Sequence, residues 1–209
     1  MSDTTASLRR KIGGAGDLQS VVRTMKAVAA SSVGQYENSV RALDDYYRTV
    51  ELGLGACFRE SGSSPLLADR EKQTAACTLG AVVFGSDQGL VGQFNDVVAE
   101  YTVETLASLP GKPQIWAVGE RVHARLADAG LPLMGVFSVP NSVKAITPLV
   151  GQIIVESETR RSPSATLKTG QGIITELYLF YNRLTSGAGY EPVNQRLLPL
   201  DESWRRKLA

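Results

Sequence analysis

Apolar residues recur through the first 60 positions at alternating steps of four and three residues. Thirteen of the fifteen positions in this series are apolar, with Gln19 and Lys26 as the exceptions. We call this series the seam; its members are Leu8, Ile12, Ala15, Gln19, Val22, Lys26, Ala29, Val33, Tyr36, Val40, Leu43, Tyr47, Val50, Leu54 and Cys57. A 3.5-residue repeat kept over this length predicts one long coiled-coil helix at 1–60.

Three glycines fall near the start of this predicted helix. Gly13, Gly14 and Gly16 each cost about 1 kcal/mol relative to alanine inside a helix. Asp17, directly after them, is a suitable N-cap. The sequence leaves two interpretations open: a helix that begins at Asp17, and a continuous helix that a partner stabilises by packing over the glycines.

The pattern changes after a linker at 61–75 that is rich in serine, glycine and proline. From 76 to 200, apolar runs predict strands at 76–84, 114–118, 133–139, 173–181 and 191–198, and helices at 94–109, 120–129 and 142–159. The last strand is expected to pair antiparallel with the one before it. The predicted fold class is α/β: a small Rossmann-like domain with a mixed sheet, preceded by the long helix and followed by a tail at 201–209.

Composition and charge exclude some classes of function. The 209 residues include 22 Lys and Arg against 21 Asp and Glu, a net charge of +1, which argues against a nucleic-acid partner. No apolar run approaches the ~18 residues of a membrane span, so we expect no direct membrane insertion. The segment 1–36 carries a net charge of +3 and the segment 37–60 one of −2. This gradient fits either a solvated helix face or an N-terminal half that faces acidic partner surfaces.

Residues suited to catalysis or metal binding are few. His123 is the only histidine, and the two cysteines, Cys57 and Cys77, are far apart in sequence. We predict two reduced, buried thiols, with a disulfide between them as the alternative. No catalytic triad or metal-ligand spacing is present, so we expect no active site and no cofactor.

The segment from Gly85 to Asn95 follows a predicted strand and opens a helix, which is where phosphate-binding loops occur. It lacks the lysine of a Walker loop, and its glycine spacing is not that of a dinucleotide-binding fingerprint. We interpret it as a tight turn that brings strand and helix together, with Ser86 and Asp87 as a capping pair. A nucleotide-binding, Rossmann-like enzyme is the alternative.

Three stretches resemble the gamma subunit of F-type ATP synthases. Residues 22–31, VRTMKAVAAS, resemble its T-x-A-M-x-x-V-A-A-x segment. Residues 85–95 resemble its S-D-x-G-L-C-G-x-x-N loop, with Val91 in place of the cysteine. Residues 181–186 and 197–200 resemble its Y-N-K-F-x-S and L-L-P-L motifs. The order and approximate spacing of the three match, and the chain is identified as a member of this family.

The resemblance implies a non-catalytic rotor. In that family the subunit forms the central stalk, which couples ion translocation through the membrane sector to ATP synthesis or hydrolysis in the catalytic head. The implied partners are the alpha and beta subunits of the head, the epsilon subunit and the ring of membrane subunits. The implied location is the cytoplasmic face of an energy-transducing membrane, peripheral through the complex.

The resemblance also assigns roles to residues. Val22, Met25, Lys26 and Ala29 match the partner-contact segment, where Met25 and Lys26 would lie near acidic lever loops of the catalytic subunits. The residues that match the structural loop of the α/β domain are Gly85, Ser86, Asp87, Gly89, Leu90, Gly92 and Asn95. Tyr181 and Asn182 match a motif at the end of a strand.

The sequence departs from the family in two places. Residues 32–35 are neutral where the family is usually basic. After the L-L-P-L motif the family continues into a second long helix, antiparallel to the first, and this sequence ends at Ala209. We therefore interpret the chain as lacking the C-terminal long helix, with a truncated gamma-like interaction module as an alternative. A seam without its second helix predicts self-association of the isolated chain.

Overall fold

The structure is a computed structural model that describes residues 4–61, 78–161, 173–185 and 189–208. The chain divides into two compact units, residues 1–52 and 53–209. Helix α1, Thr5–Ser61, supplies the described part of the first unit and the beginning of the second. All of the described strands lie in the second unit.

Helix α1 is continuous over 57 residues, a length of about 86 Å at 1.5 Å per residue. It runs through Gly13, Gly14 and Gly16, where an added Cβ would meet nothing within 4 Å. The continuity of the helix is confirmed and the helix start at Asp17 is wrong, while the packing of a partner over the glycines stays a prediction. A break at the glycines would create two new helix ends with unpaired backbone groups, whereas continuing the helix adds one hydrogen bond per residue.

The second unit contains one five-stranded sheet with strand order β3-β2-β1-β4-β5. Its strands are β1 Thr78–Phe84, β2 Lys112–Val118, β3 Leu133–Phe137, β4 Ile174–Leu184 and β5 Tyr190–Leu198. Strands β1 to β4 pair in parallel, and β5 pairs antiparallel with β4. The predicted α/β fold with a mixed sheet and a preceding long helix is confirmed.

Helices cover both faces of the sheet. They are α2 Phe94–Ser108, α3 Glu120–Asp128 and α4 Ile146–Arg161, the last preceded by a 3-10 turn at Val143–Ala145. A further helix, α5 Glu202–Leu208, follows β5. Buried side chains of α2 and α3 pack on one face, and those of α4 pack on the other. Strand β1 contributes Val83 to the first core and Val82 to the second. Because β1 is covered on both sides, its sequence is continuously apolar rather than alternating.

Two strand ends differ from the predicted ones because of their hydrogen-bonding partners. Strand β3 ends at Phe137, and the backbone N–H of Val139 instead donates to the carboxylate of Asp87 at 2.9 Å. Strand β4 continues to Leu184, which pairs with Tyr190 on β5. The antiparallel partner therefore lengthens β4 beyond its apolar run.

The predicted tail contains helix α5. The carboxylate of Asp201 accepts hydrogen bonds from the backbone N–H groups of Ser203 at 2.6 Å and Trp204 at 3.1 Å, which caps the helix. At its other end, the carbonyl of Leu208 lies 2.5 Å from the position that a Cβ on Gly55 would occupy. Gly55 thus permits α5 to approach the last turns of α1.

Cys57 is exposed on α1 with a free thiol, so its predicted burial is wrong. The residue belongs to the seam, and a seam position is buried only where another element covers it. Cys77 and most of the predicted linker lie outside the described residues. Within the described ranges, none of the helices has an apolar stretch sufficient to cross a bilayer.

Candidate functional site

The loop after β1 is held together by a reciprocal pair of side-chain contacts. The Oδ1 atom of Asn95 accepts a hydrogen bond from the backbone N–H of Ser86 at 2.9 Å, and its Nδ2 donates to the Ser86 hydroxyl at 2.9 Å. The Ser86 hydroxyl in turn donates to the carbonyl of Gln88 at 2.9 Å. These bonds tie the end of β1 to the first turn of α2.

Asp87 connects the same loop to the neighbouring strands. One of its carboxylate oxygens accepts from the backbone N–H of Glu120 at 2.9 Å, and the other accepts from Val139. Glu120 is the first residue of α3, so Asp87 caps that helix from a distant part of the chain. A carboxylate at a helix N-terminus is favoured by the helix dipole as well as by the hydrogen bond.

Glycines permit the close packing around this loop. A Cβ on Gly85 would overlap Val122 of α3 and come within 2.6 Å of the Asn95 Oδ1 atom. Gly119 has φ +116, and a Cβ there would lie 2.8 Å from the backbone of Ser86. At the tip of the loop, Leu90 and Gly92 have φ values of 62 and 59, and the Leu90 side chain is 72% exposed. Gly89 completes the tip, where an added Cβ would make ordinary contact with Arg121.

In an open α/β sheet, ligands bind where the strand order reverses, which here is between β1 and β4. At that point the Nδ2 atom of Asn182 donates to the carbonyl of Phe94 at 2.8 Å. The ring of Phe94 packs edge-on against Tyr190, with the ring centroids 5.2 Å apart. Tyr181, half-buried, pairs with Val193 on β5. Side chains of the domain itself therefore contact one another beside this point.

This geometry leaves no room for a phosphate at the start of α3. A phosphate would need the free N–H groups of that helix N-terminus, and the Asp87 carboxylate accepts from one of them. Two negative charges at one helix end would repel each other. The start of α2, which the loop opens directly, has no side-chain cap. Within the described residues, no group of three or more His, Cys, Asp or Glu side chains is placed to hold a metal ion.

The predicted partner-contact residues lie on one face of α1. Val22, Met25, Lys26 and Ala29 are spaced three and four apart and are all exposed, Val22 at 43% and Met25 at 36%. Residues at this spacing are neighbours on a helix surface. The face is apolar apart from the ammonium group of Lys26, which makes it suited to packing against another protein surface.

Sequence reasoning missed the partners of the loop. Gly119, Glu120 and Val139 bring the end of β2, the start of α3 and the end of β3 onto Ser86 and Asp87. The one signal was Gly119 between an apolar strand and a helix, a position where close backbone approach is common. The backbone N–H of Arg121 donates to the carbonyl of Ser86 at 2.9 Å. Because this bond joins two backbone groups, no side chain in the sequence indicates it.

The described residues form a long exposed helix and an α/β domain in which the glycine-rich loop after β1 caps α3. A family model described as ATP synthase matches residues 4–207. The chain belongs to this family, and its resemblance to the gamma subunit is confirmed by the relatives it matches.

Curated relatives support this assignment. The chain is 26% identical over 200 residues to an ATP synthase gamma chain of Desulfitobacterium hafniense, covering 93% of this chain and 66% of the relative. It is 25% identical over 202 residues to the corresponding chain of an Anaeromyxobacter species, covering 93% and 65%. The chain thus spans about two thirds of the length of these relatives.

A solved structure shares the fold. The chain is similar to one in the rotor of the Euglena gracilis mitochondrial ATP synthase, with a TM-score of 0.54 and 17% identity over 95% of this chain and 64% of that chain. At this level of identity the likeness concerns the fold, a long helix combined with a small α/β domain.

Proposed function

We propose that the chain acts as the central-stalk gamma subunit of an F-type ATP synthase and transmits rotation between a membrane sector and a catalytic head. The observation that carries this proposal is the family match over residues 4–207. The 57-residue helix with its exposed apolar seam agrees with it, because a long helix that pairs through a seam can carry torque.

The seam face would contact the alpha and beta subunits of the head. Met25 and Lys26 are exposed on this face, where an ammonium group can pair with acidic loops of a partner. The epsilon subunit and the membrane ring would be the partners at the other end. The complex would lie on the cytoplasmic face of an energy-transducing membrane, and this chain would be attached to it through its partners.

The chain itself would be non-catalytic. This is supported by the loop after β1, a segment with the position of a phosphate loop, because its polar groups bond to the domain itself. Substrate binding and hydrolysis would then belong to the head subunits.

Reconstitution with head subunits tests the contact face. The chain would be mixed with purified alpha and beta subunits, and its retention in the complex followed by size-exclusion chromatography. The double variant Val22→Asp/Ala29→Asp should lose at least tenfold in affinity, because two charges would be desolvated at an apolar contact. Its matched control, Ser20→Asp/Ala27→Asp, has the same spacing on the face away from the seam and should bind normally.

Three results would contradict the proposal. One is failure of the unmodified chain to enter the complex. Another is equal binding by both double variants, which would show that the seam is not the contact. The third is a thermal shift with nucleotide on the isolated chain, which would favour the enzyme instead.

A further inference from the structure

A groove with a volume of about 430 Å³ lies between helices α2 and α3 of the α/β domain. Its apolar lining comes from Ala99 and Val103 of α2 and from Ala129, which directly follows α3. Ala99 belongs to the buried core and Val103 is half-buried, so the base of the groove is apolar. The volume falls in the range of pockets that enclose a ligand, and the lining residues lie outside the loop after β1.

The rest of the lining is acidic. Four carboxylates, those of Asp96, Glu100, Glu104 and Asp128, line the groove together with the guanidinium group of Arg125. Four negative charges and one positive charge give the groove a net charge of −3, whereas the whole chain carries +1. Acidic charge is therefore concentrated at one surface of a nearly neutral chain, and such a surface attracts cationic partners.

The placement of these carboxylates lowers the stability of the two helices. Asp96, Glu100 and Glu104 follow one another at a spacing of four residues, and α2 contains no basic residue, so like charges repel along one face of the helix. Asp128 is the last residue of α3, and the helix dipole disfavours a negative charge at that end. A cation bound in the groove would relieve both effects.

One arginine of the chain already pairs with a carboxylate of this groove. The Nε atom of Arg125 lies 2.6 Å from the Oδ1 atom of Asp96, and the Arg125 side chain is 56% exposed. This ion pair links α3 to α2 at the first of the three acidic residues. Glu100 and Glu104 are both exposed, and one helical turn, about 6 Å along the axis, separates them. They can therefore receive cations from another molecule.

We propose that the groove docks a basic amphipathic helix of another protein. Apolar residues of that helix would pack on Ala99, Val103 and Ala129, and its arginine or lysine residues would face Glu100 and Glu104. A helix fits because its side chains can pack into the groove between two other helices. Its cations, placed four residues apart, also repeat at the spacing of the two carboxylates. This proposal goes beyond the role of the chain in an ATP synthase and does not depend on it.

A designed peptide tests the proposal on the 209-residue chain alone. The probe would be a fluorescein-labelled, alanine-based helical peptide with arginine at every fourth position and leucine beside each arginine. Fluorescence anisotropy would measure its dissociation constant. We expect saturable binding that weakens as salt is added, because salt screens charge pairs at an exposed surface. The same peptide with glutamate in place of arginine should not bind.

Removal of two carboxylates tests the position of the contact. Glu100→Gln/Glu104→Gln should weaken peptide binding about tenfold, because two exposed ion pairs are lost. Its melting temperature should not fall, since the substitutions also remove a repulsion within α2. The matched control Glu37→Gln/Asp44→Asn removes two exposed carboxylates from α1 and should bind the peptide normally.

Filling the groove tests its shape without a change in charge. Ala129→Trp places a large side chain in the groove and should also weaken binding about tenfold. Ala127→Trp is the matched control, because Ala127 is exposed on α3 and lies outside the lining of the groove. A peptide with a proline at its centre should bind at least tenfold more weakly than the helical one, because proline breaks the helix.

Several outcomes would overturn the inference. Failure of the helical peptide to bind the unmodified chain is the first. Equal losses in the Glu100/Glu104 variant and the Glu37/Asp44 variant would show that the peptide binds any acidic helix. Normal binding by Ala129→Trp would place the contact outside the groove. Equal affinity for the proline peptide, or displacement of the helical peptide by an equal concentration of spermidine, would indicate a site for flexible polycations instead of a helix.

Discussion

Glycines in the N-terminal half of α1 and those at the loop after β1 have opposite surroundings. A Cβ at Gly13, Gly14 or Gly34 would meet nothing within 4 Å, whereas one at Gly85 would overlap Val122. Glycine at this loop therefore lets strand, helix and loop meet. In the N-terminal half of α1 the same residue leaves empty space beside the helix. The difference indicates that the domain supplies its own contacts, while α1 is built to receive them from another helix or subunit.

The variant Gly85→Ala should show the largest effect that tests this comparison. The added methyl group would displace Val122 and the Asn95 side chain that orders the loop, so unfolding free energy should fall by about 3 kcal/mol. Urea denaturation monitors the loss. Gly89→Ala is the matched control, because its Cβ would be 3.5 Å from Arg121, an ordinary contact. A loss below about 1 kcal/mol at position 85 would show that the loop can adapt.

Asp87→Ala tests the capping of α3. It removes the acceptor for the N–H groups of Glu120 and Val139, and we expect a loss of about 1–2 kcal/mol in stability. Asp44→Ala removes an exposed carboxylate from α1 and should change stability by less than about 0.5 kcal/mol. Equal effects at the two positions would remove the distinction between domain and helix.

Gly13→Ala and Gly14→Ala should change stability in the opposite direction. Each should stabilise α1 by up to about 1 kcal/mol, because alanine has the higher helix propensity and the space is open. Circular dichroism against temperature measures the gain. Gly55→Ala in the same helix should instead be destabilising, since its Cβ would lie 2.5 Å from the carbonyl of Leu208. Stabilisation at all three positions would show that α5 does not constrain α1.

The smallest effect concerns pH. A hydrogen bond from the Ser203 side chain, followed by bonds from the backbone N–H groups of Trp204 and Ser203, lowers the pKa of Asp201. A lowered folded-state pKa means that the stabilisation of α5 is present above the ordinary aspartate value of about 3.9 and is lost as pH falls through the folded value. Amide NMR shifts of Ser203 and Trp204 should follow this titration. In Asp201→Asn these shifts should not titrate; an unchanged profile would assign the titration to another group.

Much of the fold could be predicted because the spacing of apolar residues along the sequence indicates each helix and strand. Helix α2 begins at Phe94 and α3 at Glu120, as the apolar spacing predicts, and β2 ends at Val118 where the apolar run ends. The start of α1 was the exception, since propensity at Gly13 and Gly14 left two possibilities. Cooperativity of a 57-residue helix decided between them.

The candidate site likewise has one part that could be predicted from the sequence and one that could not. The contact face at Val22, Met25, Lys26 and Ala29 follows from helical spacing alone, and its partners remain a prediction. The bonds made by Asp87 could not be predicted, because Glu120 and Val139 are 33 and 52 positions away. The sequence predicted that Ser86 and Asp87 are a capping pair. It did not predict that Asp87 caps α3.

The sequence by itself determined the long helix, the seam, the sign change of the charges beside it and the α/β order of strands and helices, because each depends on neighbours within a few turns or one strand. Only the tertiary structure decided that the glycine-rich loop caps α3, that Asn182 bonds to the carbonyl of Phe94, and that a Cβ on Gly85 would overlap Val122. Those outcomes depend on atoms brought together from distant parts of the chain, and local periodicity carries no information about such pairs.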